Sequence, residues 1–116
     1  MCGIFGCISS DAASTVLEGL RKLEYRGYDS AGLAAIFDDN AVPIKTERTT
    51  GYVSDLVSKA NGRFKGAIVS IGHTRWATHG GVTESNAHPH SSIDGNLSIV
   101  HNGIIENTAE LSERVM

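Results

Sequence analysis

The 116-residue chain reads as an α+β domain built on a mixed, largely antiparallel sheet. Three observations lead there. Short apolar runs alternate with a stripe of leucines and valine at helical spacing. A tight Asp38-Asp39-Asn40 turn joins two of the runs as a hairpin. The element order β, α, β, β, α, β, loop, β, α sets hairpins beside helices, instead of repeating the strand–helix–strand unit of a doubly wound parallel sheet.

Gly3 to Ile8 is nearly all apolar and is expected as a buried strand. Asp11 is placed to cap a helix whose inner face is Val16, Leu17, Leu20 and Leu23, ending at Arg26-Gly27. Ala31 to Phe37 is the second strand, and Val42 to Glu47 the third, across the hairpin turn. Ser54 to Ala60 predicts a short helix stopped by Asn61-Gly62. Ala67 to Gly72 is a compact strand, and Thr74 to Ser92 a polar, glycine-containing loop with four of the five histidines in or beside it. Leu97 to His101 returns to strand. A helix capped by Thr108 follows, and the sequence reads as if cut within that helix, since no terminating glycine or polar tail follows Val115-Met116.

The composition narrows the function classes. Apolar residues make up 41% of the chain and charged residues 20%, as in an ordinary soluble globular domain. A formal charge of −3 with no Lys/Arg cluster argues against a nucleic-acid surface. No apolar stretch approaches the ~18 residues of a membrane span, and no signal peptide is legible, so a cytoplasmic location is expected. Two cysteines, Cys2 and Cys7, are too few for a disulfide framework. Cys7, inside the first strand, reads as core.

Cys2 directly after Met1 is the chemically informative position. Removal of Met1 would leave a thiol and an α-amine on one residue, with ordinary pKa values of about 8.5 and 7.7–8.0. The amine can then take the thiol's proton, the N-terminal form of an activated nucleophile. Alone, a small residue after the initiator carries no signal. In His73-Thr74-Arg75-Trp76-Ala77-Thr78-His79-Gly80-Gly81, Arg75 can hold a carboxylate bidentately and Trp76 offers an apolar wall. A solvated loop with one structural Arg fits that segment equally. His101-Asn102-Gly103 can supply two converging N–H donors for an oxyanion, or can be a simple Asn-Gly turn. Arg26, in Tyr25-Arg26-Gly27-Tyr28-Asp29-Ser30, either borders a site or caps helical carbonyls. The histidines lack metal-ligand spacing, since there is no CxxC and no helical HxxxH, so no metal site is expected.

Taken together, these segments resemble the N-terminal glutaminase domain of the glutamine–fructose-6-phosphate aminotransferase family. The matching stretches are Cys2 to Gly6, Leu23 to Gly32, His73 to Gly80, Asn86 to His90 and Val100 to Asn107. The Cys-Gly-Ile start is common to class II glutamine amidotransferases, whereas Tyr-Arg-Gly-Tyr-Asp-Ser and His-Thr-Arg-Trp-Ala-Thr-His-Gly are more specific. The resemblance implies an N-terminal-nucleophile hydrolase fold, a four-layer αββα sandwich of two antiparallel sheets between helices, of which residues 2–116 are the N-terminal part. It implies Cys2 as the nucleophile, Asn102 and the Gly103 N–H as the oxyanion hole, and Arg75, Trp76, Thr78 and His79 as the glutamine loop. It also implies glutamine as substrate, ammonia passed to fructose 6-phosphate in a separate sugar-isomerising domain absent from this chain, no cofactor, and a homodimeric full-length enzyme.

Two other readings stay open on sequence alone. Another class II amidotransferase, of the purine-pathway or glutamate-synthase type, would share Cys2. A non-catalytic glutamine-binding module would tolerate Cys2→Ser. Because the family's glutaminase domain continues well beyond a length of 116 residues, the chain by itself is expected to bind glutamine poorly and to make no glucosamine 6-phosphate.

Overall fold

The computed structural model describes residues 2–26, 29–38, 43–76, 82–83, 86–102 and 108–115. Its elements are β1 (Gly3–Ile8), α1 (Ala12–Leu23), a 3-10 turn (Glu24–Arg26), β2 (Ser30–Phe37), β3 (Lys45–Thr50), α2 (Val53–Ala60), β4 (Ala67–Arg75), β5 (His90–Ser91), β6 (Ser98–Ile99) and α3 (Thr108–Val115). The first four strands in sequence form one sheet in the order β1-β4-β2-β3, with every pairing antiparallel. β5 and β6 make a separate two-stranded hairpin.

Alternation along the strands divides the sheet into two unlike faces. On one, Ala31, Leu33 and Ala35 of β2 meet Val16 and Leu20 of α1, Val53, Leu56 and Ala60 of α2, and Phe64. Leu20, Leu33 and Leu56 have no exposed surface at all. Gly72 allows this packing to be close, because a Cβ there would lie 2.6 Å from Val16 and 2.8 Å from Leu20. The other face carries Ile4, Gly32, Ile71 and His73, and is approached by the segment from Asn86 to Ser98. A cavity of about 260 Å3 separates Ala34, Ile36, Val69 and Ile71 from Asn96, Leu97 and Ser98.

Several boundaries differ from the sequence reading for identifiable reasons. Asp11 occupies the N-cap position of α1, but its side chain makes no capping bond; it accepts instead from the Ser9 hydroxyl at 2.9 Å. The third strand begins at Lys45 and runs to Thr50, because its ladder follows β2 back as far as Ser30. It is an edge strand, where charged and hydroxyl residues are at home, so its polarity hid it; part of the hairpin turn, residues 39–42, lies outside the described residues. β4 continues three residues past Gly72, since His73, Thr74 and Arg75 have partners on the neighbouring strands. β6 is only Ser98–Ile99: the Ser92 and Asn96 turn around Asp94 and the shortness of β5 leave Val100 and His101 without a ladder. α2 is as expected within one residue, with Asp55 accepting from the Tyr52 N–H and Glu24 from the Val53 N–H. Among the described residues no helix is long and apolar enough to cross a membrane.

Candidate active site

The site lies at the end of the sheet where β1 begins and β4 finishes. Gly3 pairs with Thr74 and faces Leu23 at the close of α1. Alternation therefore turns the preceding residue, Cys2, to the opposite side. Its half-buried Sγ accepts the Trp76 backbone N–H at 3.4 Å and lies 3.9 Å from the Trp76 carbonyl oxygen. The thiol is thus held against the exit of β4 by main chain.

Asn102 reaches the same point from the far end of the chain. Its Nδ2 donates to the Cys2 carbonyl oxygen at 3.2 Å. Its Oδ1 lies 2.7 Å from Nε2 of His73. A carbonyl oxygen only accepts, so the amide nitrogen must face Cys2, and His73 must carry its proton on Nε2. An amide group has two N–H donors, and the Cys2 carbonyl uses one. The second is left over for another acceptor.

His73 is 1% exposed. Burial is the largest influence on its pKa, which lies below the ordinary histidine value, with Arg75 and His90 acting the same way and Asn102 and the His101 backbone opposing. Its ring packs against that of His88, centroids 4.2 Å apart and planes tilted by 31°, and His88 against His90 at 4.3 Å with planes tilted by 53°. Nδ1 of His88 accepts the His101 N–H at 3.3 Å. Burial, then the neighbouring His73, His90, Arg75 and His101, push His88 down to about 4. His90 is lowered by burial and by Arg48 and Arg75.

Of the residues singled out from sequence, Cys2 meets the Asn102 side chain and the Trp76 main chain, and Arg75 directly precedes Trp76 at the end of β4. Arg75 is the last residue of a strand rather than part of a loop, and its carbonyl accepts the Asp29 N–H at 2.9 Å. That bond ties Asp29 to the site edge. Gly103, Thr78 and His79 lie outside the described residues, as does the side chain of Arg26. Among the described residues no group of three or more His, Cys, Asp and Glu is arranged to hold a metal ion. The sequence reading missed the contacts of His73 and His88 with the Asn102 segment. Extending the two-residue alternation of β4 past Gly72 would have set His73 on the face of Ile71, away from α1.

No protein-family model matches the chain. Among solved structures, it resembles the glutamine phosphoribosylpyrophosphate amidotransferase of B. subtilis, complexed with ADP and GMP, at a TM-score of 0.77 and 24% identity over 99% of this chain and 24% of that one. It also resembles an allosteric regulatory enzyme of purine biosynthesis at a TM-score of 0.80 and 25% identity, over 99% of this chain and 25% of the other. The fold is thus that of the N-terminal-nucleophile amidotransferases, an α+β arrangement with an antiparallel sheet. Sequence is more discriminating. The chain is 49% identical over 114 residues to the glutamine–fructose-6-phosphate aminotransferase (isomerizing) of Methanococcus maripaludis, 52% over 116 residues to that of Idiomarina loihiensis, and 51% over 114 residues to that of Clostridium tetani. These matches cover 97–99% of the chain and 18% of each relative. Along nearly its whole length the chain thus shares about half its residues with glutamine–fructose-6-phosphate aminotransferases, and it spans about 18% of the length of these relatives.

Proposed function

We propose that residues 2–116 are the nucleophile-bearing part of a glutaminase half-site, acting once Met1 has been removed. The Cys2 α-amine takes the thiol proton, and the thiolate adds to the side-chain amide carbon of glutamine. The developing oxyanion is met by the second N–H of Asn102 and by the Gly103 N–H. The protonated amine returns its proton to the leaving nitrogen, the C–N bond breaks and ammonia departs. Water then hydrolyses the γ-glutamyl thioester to glutamate. Arg75 pairs with the glutamine α-carboxylate, and Trp76, Thr78 and His79 form the loop that closes over the substrate and excludes water.

In the complete enzyme, a cytoplasmic homodimer, a sugar-isomerising domain takes the ammonia and converts fructose 6-phosphate to glucosamine 6-phosphate. The observation that carries this reading is the meeting of Asn102 with Cys2, 100 residues apart in sequence, through an amide that keeps one N–H to spare.

The test is the intact mass of the purified chain before and after exposure to a glutamine-like diazoketone. Loss of Met1 and a single adduct on Cys2, absent in Cys2→Ala, is the expected result. Retention of Met1, or an adduct distributed over Cys2 and Cys7, would end the proposal.

A further inference from the structure

Asn102 is an exposed residue whose side chain has to point one way. Packing does not hold it, so its orientation comes from its bonds. One goes to Cys2, the group it is meant to serve. The other goes to His73, which is rigid: it sits on the central strand between β1 and β2, and its ring lies against His88. His88 in turn holds the backbone one residue before Asn102, through the His101 N–H. The segment carrying His88 is itself fixed. Ala87 is fully buried, its carbonyl accepts from Arg48 at 3.2 Å, and the His88 carbonyl rests where a Cβ of Gly32 would be.

We propose that His73 and His88 are positioning residues that clamp Asn102 at two points, its side-chain oxygen and its preceding N–H, and so hold the donor amide beside Cys2 in one orientation. The purpose of the clamp rests on the glutaminase reading; its geometry does not. A role for His73 as general base for the thiol fits poorly, because its Nε2 is taken up by Asn102 and its Nδ1 has no hydrogen-bond partner. The clamp needs neutral imidazoles. A proton on Nδ1 of His88 would set one donor against another at His101. A proton on Nδ1 of His73 would be buried beside Arg75 without an acceptor.

The variants that test it exploit the near-coincidence of Gln Nε2 with His Nε2 and of Asn Oδ1 with His Nδ1. In the 15N-labelled 116-residue chain, the Asn102 side-chain NH2 pair, assigned by its loss in Asn102→Asp, is expected to be shifted from free-amide values and slow to exchange. His73→Leu and His88→Leu should collapse it to free-amide values and lower the diazoketone labelling rate of Cys2 by roughly 10-fold or more, part of the cost of losing an oxyanion donor. Reaction with iodoacetamide, which needs only the thiol, should barely change. His73→Gln and His88→Asn should restore both signals.

An Asn102 amide indifferent to His73→Leu in a chain that still melts cooperatively would overturn the clamp, as would His73→Gln behaving no better than His73→Leu. If His73→Leu does not fold, the contrast between His88→Asn and His88→Leu decides in the same way. A wild-type chain with a His73-dependent amide but no diazoketone adduct sustains the clamp and ends the glutaminase reading. An adduct whose rate ignores both histidines does the reverse.

Discussion

At Asn102 the chemistry depends on which end of one amide faces which neighbour. Asn102→Asp keeps the shape and still satisfies the His73 Nε2–H, but sets a carboxylate oxygen against the Cys2 carbonyl and against any oxyanion formed there. The diazoketone labelling rate of Cys2 is expected to fall by about 100-fold or more, in the range seen for loss of one oxyanion-hole donor. The iodoacetamide rate should change little, and a comparable loss in both would point to a displaced thiol. Cys2 and Asn102 were legible in the sequence because their residue types name their chemistry. His73 was not, because a histidine in a polar segment advertises nothing until its strand register is known. Alternation past Gly72 sets it on the face of Ile71, and its pairing with Gly32 and Ile4 puts that face on the Cys2 side of the sheet.

Among the elements, the docking of the Asn86 to His90 segment on β2 depends on Gly32. An added Cβ there would lie 2.0 Å from the His88 carbonyl oxygen, a backbone atom that cannot simply rotate away. Gly32→Ala should therefore lift the segment from the sheet, loosen the packing of His88 on His73, and destabilise the chain by about 1–3 kcal/mol, as overpacking does. A urea-denaturation series would show it, and a change under about 0.5 kcal/mol, the size of an ordinary surface substitution, would mean that the segment is not seated on Gly32. The strands and helices of the helix-covered face were readable because they obey one rule, apolar residues at a fixed period. The boundaries that shifted belong to β3, the end of β4 and β6, where polar residues are chosen for an edge or a site. There the ladder, a property of the partner strand, decides which residues are strand.

For the whole molecule, the three histidines packed side by side make stability depend on pH. His73, His88 and His90 all titrate below the ordinary value of 6.5, chiefly through burial. Arg48, Arg75 and His101 are the charged or titratable groups around them. Below pH 6.5, and for His88 down to about 4, the unfolded chain binds more protons at these positions than the folded one. Their contribution is full above 6.5 and is lost as pH falls through the folded values. The denaturation midpoint should therefore drop steadily from about pH 7 to about pH 4.5, and less steeply in His88→Asn; a flat profile would show that the histidines are not buried together. Asp94, held low by the Ser92 hydroxyl and the Asn96 N–H, titrates below this window.

The pairing of Gly3 with Thr74 has a consequence for what kinds of change the chain can absorb. Because a strand presents its residues to alternate sides, the face on which Cys2 stands is decided by counting. Ile4, Gly6 and Ile8 can exchange for other residues with only local effects. One residue inserted between Cys2 and Gly3 would instead turn the thiol toward α1 while leaving every other contact of the sheet in place. At this end of the molecule, length is held more tightly than identity: substitutions are read one at a time, but an insertion is read as a change of side.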